Sequence, residues 1–392
     1  MTLKNRTAIV GLGATPYYRR GQSHPQSMLE LGGKAILAAV QDAGLEVRDM
    51  NGFAYYSGGF DTALLMESLG IPEVRYSAMV TSGGGGSVGA IGLAASAIVS
   101  GMADTVCVVF CMQQPADKRY GSIMSRVEPT PDKAFYTSAG LVGPGHFFAL
   151  LAQRHMHLYG TRRDAFAEVA ISSRLNAIKR PEARFSTPLT REEYFAAPMI
   201  ADPLCRYDFC LENDIAIAVI LTSAERARDL RQKPVYVMGA EQGGRREWGR
   251  AIASMNMSDD YFASAGYASV AQHLYRSAGI GVEDIDVAEL YDHFSPMVVM
   301  QLEDFGFCPR GEGGAFVEAG NIRFEGGSIP VNTHGGHLSE AYAVGMTHVR
   351  EAIEQIRGTA INQVKDARIA LVSGGPATLP ISGLLLGSDA HV

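Results

Sequence analysis

The chain has no CxxC pair, no block rich in Lys and Arg, no apolar run long enough to span a membrane, and a single tryptophan. Each absence removes a class of protein. Five cysteines, an odd number without paired spacing, exclude a disulfide framework and a zinc ribbon, and they fit a reduced compartment. Cys107 and Cys111 lie in an apolar, strand-like run and read as inert buried thiols, while Cys205, Cys210 and Cys308 have no activating neighbour in the sequence. A formal net charge of −7 with no basic block argues against a nucleic-acid partner. The N-terminus MTLKNRTAIVGLG lacks the charged-then-apolar pattern of a leader. The expectation is a cytoplasmic protein with no membrane association.

What is present is ordinary globular material: 47% hydrophobic and 19% charged residues in 392, enough for two closely packed core-bearing halves. TAIVGLG (Thr7 to Gly13) reads as a strand and Ser27 to Ala43 as a helix. Helical periodicity returns over Val88 to Ser100, followed by the strand ADTVCVVF. Such alternation predicts α/β layering. Between about residues 112 and 200 the pattern loosens, which predicts a loop subdomain covering a site. Strands resume in IAIAVILTS after Asp214 and PVYVMGAE after Pro234.

The chain also repeats itself. AILAAVQDAGLEVRDMNGFAYY (Ala35 to Tyr56) is answered by AQHLYRSAGIGVEDIDVAELY (Ala271 to Tyr291), and IGLAASAIVSGMADTVCVVF by THVREAIEQIRG with DARIALVSGG. Two βαβ-type halves follow, 1–225 and 226–392. In the second half, NTHGGHLSEAYAVGM (Asn332 to Met346) sets two histidines, a glycine pair and a tyrosine in one turn-rich passage. Glycine pairs allow close backbone approach to a ligand, and loops present reactive groups.

Two layered halves, the GMAD strand start, a GG pair followed nine residues later by Gly345, and a terminal SGG strand together resemble the thiolase superfamily. Within it the chain is most similar to the thiolase-like lipid-transfer (sterol carrier protein X thiolase-like) branch that includes steroid side-chain aldolases. The resemblance covers essentially the whole chain. It implies a duplicated five-layered α-β-α-β-α thiolase fold, usually a homodimer.

The departures from that pattern carry the functional expectation. A thiolase nucleophile sits seventeen residues before the glycine of the GxAD strand start; from Gly101 that position is Gly84, within SGGGGS. The family histidine, seven residues after the first glycine of GG, is here Tyr342. The second cysteine, before x-G-G, is Val372, and the Asn- or His-initiated motif ending in Phe is YDHF, led by Tyr291. Without a thiolate, acyl-cysteine chemistry cannot run.

Tyr291 and Tyr342 match the tyrosines that the aldolase branch carries at these motifs, and the resemblance implies retro-aldol cleavage of a β-hydroxyacyl-CoA. That reaction needs a base for the β-hydroxyl, stabilisation of the thioester enolate and an acid for its α-carbon. Because a free tyrosine titrates near ~10, a neighbouring donor or positive field must lower it; His293, His334 and His337 are the candidates. Gly84 and Gly85, opening a helix, are candidate backbone oxyanion donors, with Gly374 of the SGG strand completing the cavity. Asp292 reads as the N-cap of the helix beginning at SPMVVMQ. Arg245, Arg246 and Trp248 in GGRREWGR are candidates for coenzyme A, against the plainer reading of a solvated loop.

No lysine lies in either motif for a Schiff base, and no metal is expected. His155 and His157, as i and i+2 on a helix, face apart. No cofactor is expected in the chain beyond the CoA thioester as substrate. The resemblance implies a separate OB-fold partner with a zinc ribbon. Two other functions stay open on the sequence: a non-catalytic acyl-CoA or lipid carrier, and an acyltransferase relying on its partner.

Overall fold

The computed structural model describes residues 3–56, 61–80, 83–117, 119, 131–244 and 262–389. Arg245, Arg246 and Trp248 lie outside them. The first half contributes strands β1 (Thr7–Ala14), β2 (Gly52–Tyr56), β3 (Tyr76–Val80), β4 (Thr105–Met112) and β5 (Asn213–Ser223). The second contributes β6 (Val235–Gly243), β7 (Val287–Glu289), β8 (Ile369–Gly374) and β9 (Ile381–Gly387). They form one mixed sheet in the order β7-β8-β9-β6-β1-β5-β4-β2-β3, with the short strand Tyr18–Arg19 beside β5.

That order repeats about its middle. In one half β2 runs parallel to β4, and β4 antiparallel to β5; in the other β7 runs parallel to β8, and β8 antiparallel to β9. The halves meet where β1 pairs antiparallel with β6. Helix α1 (Met28–Ala43) covers the outer face of the first half, and α5 (Ala268–Ala278) that of the second. Helix α2 (Gly86–Val99) packs against strands of both halves, with α7 (Met346–Arg357) beside it. The layering is that of a thiolase fold.

The internal repeat has a local physical cause. Helix α1 ends on Gly44 and α5 on Gly279, both left-handed at φ 72° and 67°, where a side chain would be strained. A single 3₁₀ turn follows each, Val47–Asp49 and Val282–Asp284. Asp49 accepts from the Glu46 amide at 2.8 Å, and Asp284 from the Gly281 amide at 2.8 Å. The same stop and turn then feed β2 and β7. Strand β4 is buried along nearly its full length, as its unbroken apolar run requires.

The segment from 112 to 200 departs from the loop expected there. Its described part is mostly helical: Pro131–Ser138, α3 (Pro144–Tyr159), α4 (Arg163–Ala177) and Arg191–Ala196. Pro144 sits in the first turn of α3, where no amide partner is lost. Phe148, Phe166 and Tyr194 join a core with Phe294 and Val298 of the second half. His155 is buried between Glu303 and Thr161, whereas His157 is exposed, so the two do face apart.

Candidate active site

Tyr291 stands two residues beyond β7, where the chain leaves the sheet. Its amide donates to Ser373 Oγ at 2.8 Å, and its carbonyl accepts from Gln301 Nε2 at 2.9 Å. Ser373 Oγ in turn donates to Gln301, so a strand of the sheet and helix α6 (Ser295–Asp304) fix the tyrosine's backbone together. Tyr342 is clamped from the other half. Asn213, the first residue of β5, accepts from its amide at 2.7 Å and donates to its carbonyl at 3.1 Å. The two clamps bring the phenol hydroxyls within 3.0 Å of each other.

The glycine pair explains how the loop reaches this point. Gly335 and Gly336 adopt φ 107° and 60°, and a Cβ on Gly336 would fall 2.1 Å from Asp292 Oδ2. Asp292 uses that closeness to accept from the amides of His337 (2.8 Å) and Leu338 (3.2 Å). It therefore caps the short helix Gly336–Ser339 and does not cap α6, whose N-cap is Phe294. The expected role for Asp292 is corrected accordingly.

Gly84 meets the same pair. A Cβ there would lie 3.2 Å from Tyr291 Oη and 3.0 Å from Gly375 Cα. At the position aligned with the thiolase nucleophile, glycine leaves the tyrosine hydroxyl room that a Cβ would crowd. Gly84→Cys is expected to lower cleavage at least tenfold without creating an acyl-enzyme, since the new side chain displaces Tyr291. Intact-protein mass spectrometry after acyl-CoA exposure checks the second half of that statement.

Several expected roles shift. The Gly84 amide donates to Thr378 Oγ1 at 3.2 Å and the Gly85 amide to the Pro380 carbonyl at 3.3 Å, so neither N–H is free for an oxyanion. Gly374 lies inside β8, its carbonyl taken by the Tyr267 hydroxyl at 2.6 Å. Neighbouring Gly375 lines the cavity instead.

His334 and His337 are buried behind the tyrosines and do not line the cavity. His334 Nδ1 lies 2.8 Å from Glu289 Oε2, and His337 Nε2 accepts from the Gly345 amide at 3.1 Å. Burial holds both imidazoles well below their usual titration range, and burial likewise pushes the Glu289 carboxyl up to about 7. Neutral rings supply no positive field. Tyr291 accordingly shifts opposite to the expected direction: burial, then the neighbouring Tyr342, raises its phenol well above the usual value.

Asp292, His337 and His348 bring possible ligand atoms within 4.8 Å of one another. Asp292 Oδ1, however, already accepts from the His337 amide and lies 3.1 Å from His348 Nε2, which also reaches the Leu290 carbonyl at 3.1 Å. The hydrogen bonds account for this cluster without a cation.

Tyr291, Tyr342 and His293 open onto a cavity of about 530 Å³ whose walls include Tyr56, Phe110, Phe148, Phe209 and Phe294. This is the size and character of a small-molecule site. Cys111 and Cys210 also line it, with burial the largest cause of their raised thiol pKa values, Cys111 reaching about 12; neither is an activated nucleophile. Sequence reading missed Asn213, Gln301 and Ser373. Asn213 stands in the polar END just before a long apolar strand, the one signal that marks it.

Fold and site define a class: a thiolase-fold enzyme in which a hydrogen-bonded tyrosine pair faces the cavity and glycine stands where a thiolase carries its nucleophilic cysteine. Comparison with known proteins agrees. Residues 247–384 match the family described as thiolase C-terminal domain-like. The chain is 36% identical to a steroid side-chain-cleaving aldolase of Thermomonospora curvata, over 99% of either chain. It is 35% identical to the 17-hydroxy-3-oxo-4-pregnene-20-carboxyl-CoA lyase of Mycobacterium tuberculosis, over 98% of this chain and all of that one. A solved structure described as Ltp2-ChsH2(DUF35) aldolase superposes with a TM-score of 0.91 at 35% identity, covering 99% of both chains. The chain belongs to the thiolase superfamily, in its side-chain-cleaving aldolase branch, and is an aldolase lacking the nucleophilic cysteine.

Proposed function

We propose that this chain cleaves a β-hydroxyacyl-CoA with a steroid or similarly bulky apolar acyl chain, giving a ketone or aldehyde and a shortened acyl-CoA. The 3.0 Å contact between the Tyr291 and Tyr342 hydroxyls carries the reading. One phenol oxygen accepts the β-hydroxyl proton while passing its own proton to the second, which delivers a proton to the α-carbon. The Cα–Cβ bond breaks, its electrons form the thioester enolate, and the β-carbon becomes a carbonyl. Atoms balance, and no tyrosinate need be stored, which suits a Tyr291 held far above its usual pKa. The apolar cavity beside the pair and the names of the relatives support the acyl class.

Two assembly features belong to this reading. The related solved structure is described as an Ltp2-ChsH2(DUF35) aldolase, a description that joins two protein names, and we extend a DUF35-type OB-fold partner, with any zinc ribbon it carries, to this chain. A homodimer is supported by β3: among the described residues it pairs only with β2, and its Met79 is 50% exposed. An open, partly apolar strand edge is a template for a second strand. Among the described residues no helix is long and apolar enough to cross a membrane, which is compatible with cytoplasmic work.

The test is mass spectrometry of products from a panel of β-hydroxyacyl-CoA thioesters, with and without the OB-fold protein. A carbonyl compound plus shortened acyl-CoA supports the aldolase reading. Tight thioester binding without cleavage across the panel would replace it with a carrier role.

A further inference from the structure

We propose that His293 is the hydrogen-bond donor that holds the substrate's thioester oxygen as it becomes an enolate. The inference rests on the retro-aldol reading, since only a reaction that gathers charge on that oxygen needs such a donor. The amides of Gly84 and Gly85 are engaged by Thr378 and Pro380, and the two phenols are engaged with each other. The other polar side chains of the wall are engaged as well: Gln113 donates to Ser23 and the Gln26 carbonyl, Gln114 to the Met112 sulfur and Thr378 to the Gly375 carbonyl.

His293, on the same wall, has an unengaged imidazole. Its two ring nitrogens are buried and neither makes a hydrogen bond. Of the other histidines around it, His155 is hydrogen-bonded by Glu303 and Thr161, His337 by the Gly345 amide, and His348 by Leu290 and Asp292, while His334 has no hydrogen bond but sits 2.8 Å from the Glu289 carboxyl, away from the cavity. His293 alone of these lines the cavity. An imidazole always carries at least one N–H, and leaving it unpaired and buried is unfavourable. Such a group persists where a ligand completes it.

Its placement is fixed by neighbours and not by polar partners. The ring packs edge-on against Phe148 at 4.3 Å and Tyr291 at 5.2 Å between centroids, and its carbonyl accepts from the Cys210 amide at 3.0 Å. The donor therefore stands beside the tyrosine that exchanges protons with the substrate. Burial lowers the ring's pKa to about 3, which makes it a poor base for the β-hydroxyl but leaves a neutral N–H donor throughout the working pH range. Donation, not proton abstraction, is the chemistry that remains.

The experiment compares wild type, His293→Phe and His293→Asn, each as the full chain with its OB-fold partner. Two rates are read: cleavage of a β-hydroxyacyl-CoA, and exchange of the α-hydrogens of the shortened acyl-CoA product with deuterium oxide, which requires the enolate but no carbon–carbon cleavage. For His293→Phe the expected result is a fall of about 100-fold in kcat, with KM within about threefold and an equal fall in exchange. Its melting temperature should hold or rise, because an unpaired buried polar group has been removed. His293→Asn, which keeps an N–H donor, should recover part of both rates. Cleavage and exchange within threefold of wild type in His293→Phe would overturn the assignment, as would loss of cleavage with exchange intact. A wild type inert in both assays would overturn the retro-aldol reading itself, and this inference with it.

Discussion

Tyr342→Phe is expected to lower the cleavage rate about 10³-fold while leaving thioester binding nearly intact, the middle of the range for a positioned proton-transfer group. Tyr291→Phe should fall by a similar factor, and the double variant should be little worse than either single one. The reason is the 3.0 Å hydrogen bond between the two hydroxyls: a relay with one link cut is already broken, so the second cut removes little more. Single-turnover kinetics on all three variants, with Kd for a non-cleavable thioester, read the effect. Multiplicative losses in the double variant would show that the phenols act independently, one as base and one as acid. The two clamps make the result interpretable, because Asn213 and the Gln301–Ser373 pair hold main-chain atoms that phenylalanine leaves in place.

Much of this centre is legible in the amino-acid sequence, and the limits of that legibility are physical. Counting from the GxAD glycine and the GG pair locates Gly84 and Tyr342, and the internal repeat is plain because both copies need the same left-handed glycine and aspartate-capped turn. The spacing does not show that Gly84 and Tyr291 compete for one volume; that depends on a 3.2 Å approach between residues 207 apart in sequence. Polar partners are the least legible. Gly84 and Gly85 have the sequence setting of oxyanion donors, yet Thr378 and Pro380 occupy their amides; His334 and His337 have the setting of a positive field, yet burial neutralises them. The helices Pro144–Tyr159 and Arg163–Ala177 read as loop because their apolar residues pack on several neighbours and leave no single clean stripe.

Behind the tyrosines lies the feature with the largest expected effect on stability. Arg180, with its side chain 1% exposed, places its guanidinium 3.0 Å from Glu340 and 2.8 Å from Glu354, and against Glu351 as well. Burial would push this cation toward neutrality, but the three carboxylates outweigh it and hold the guanidinium above its usual range. Arg180→Met removes the cation that these acids share, and breaking a buried pair from one side costs about 3–5 kcal/mol. The loss should depend on pH with a definite sign. Burial raises the Glu340 carboxyl to about 8 even against the pull of Arg180, and without Arg180 it rises further. A carboxyl whose folded pKa lies above its unfolded one binds more protons when folded, so its contribution is lost as pH rises through the folded value. The variant should therefore be nearest to wild type at pH 5.5 and farthest from it at pH 8.5, measured as denaturation midpoints at both. A gap that ignores pH would mean that water reaches these acids once the arginine is gone. Glu340 stands two residues before Tyr342 and also accepts from the Tyr17 hydroxyl at 3.3 Å, so a loop loosened there should lower cleavage too. Full rescue of activity at pH 5.5 would tie that loss to charge and not to packing.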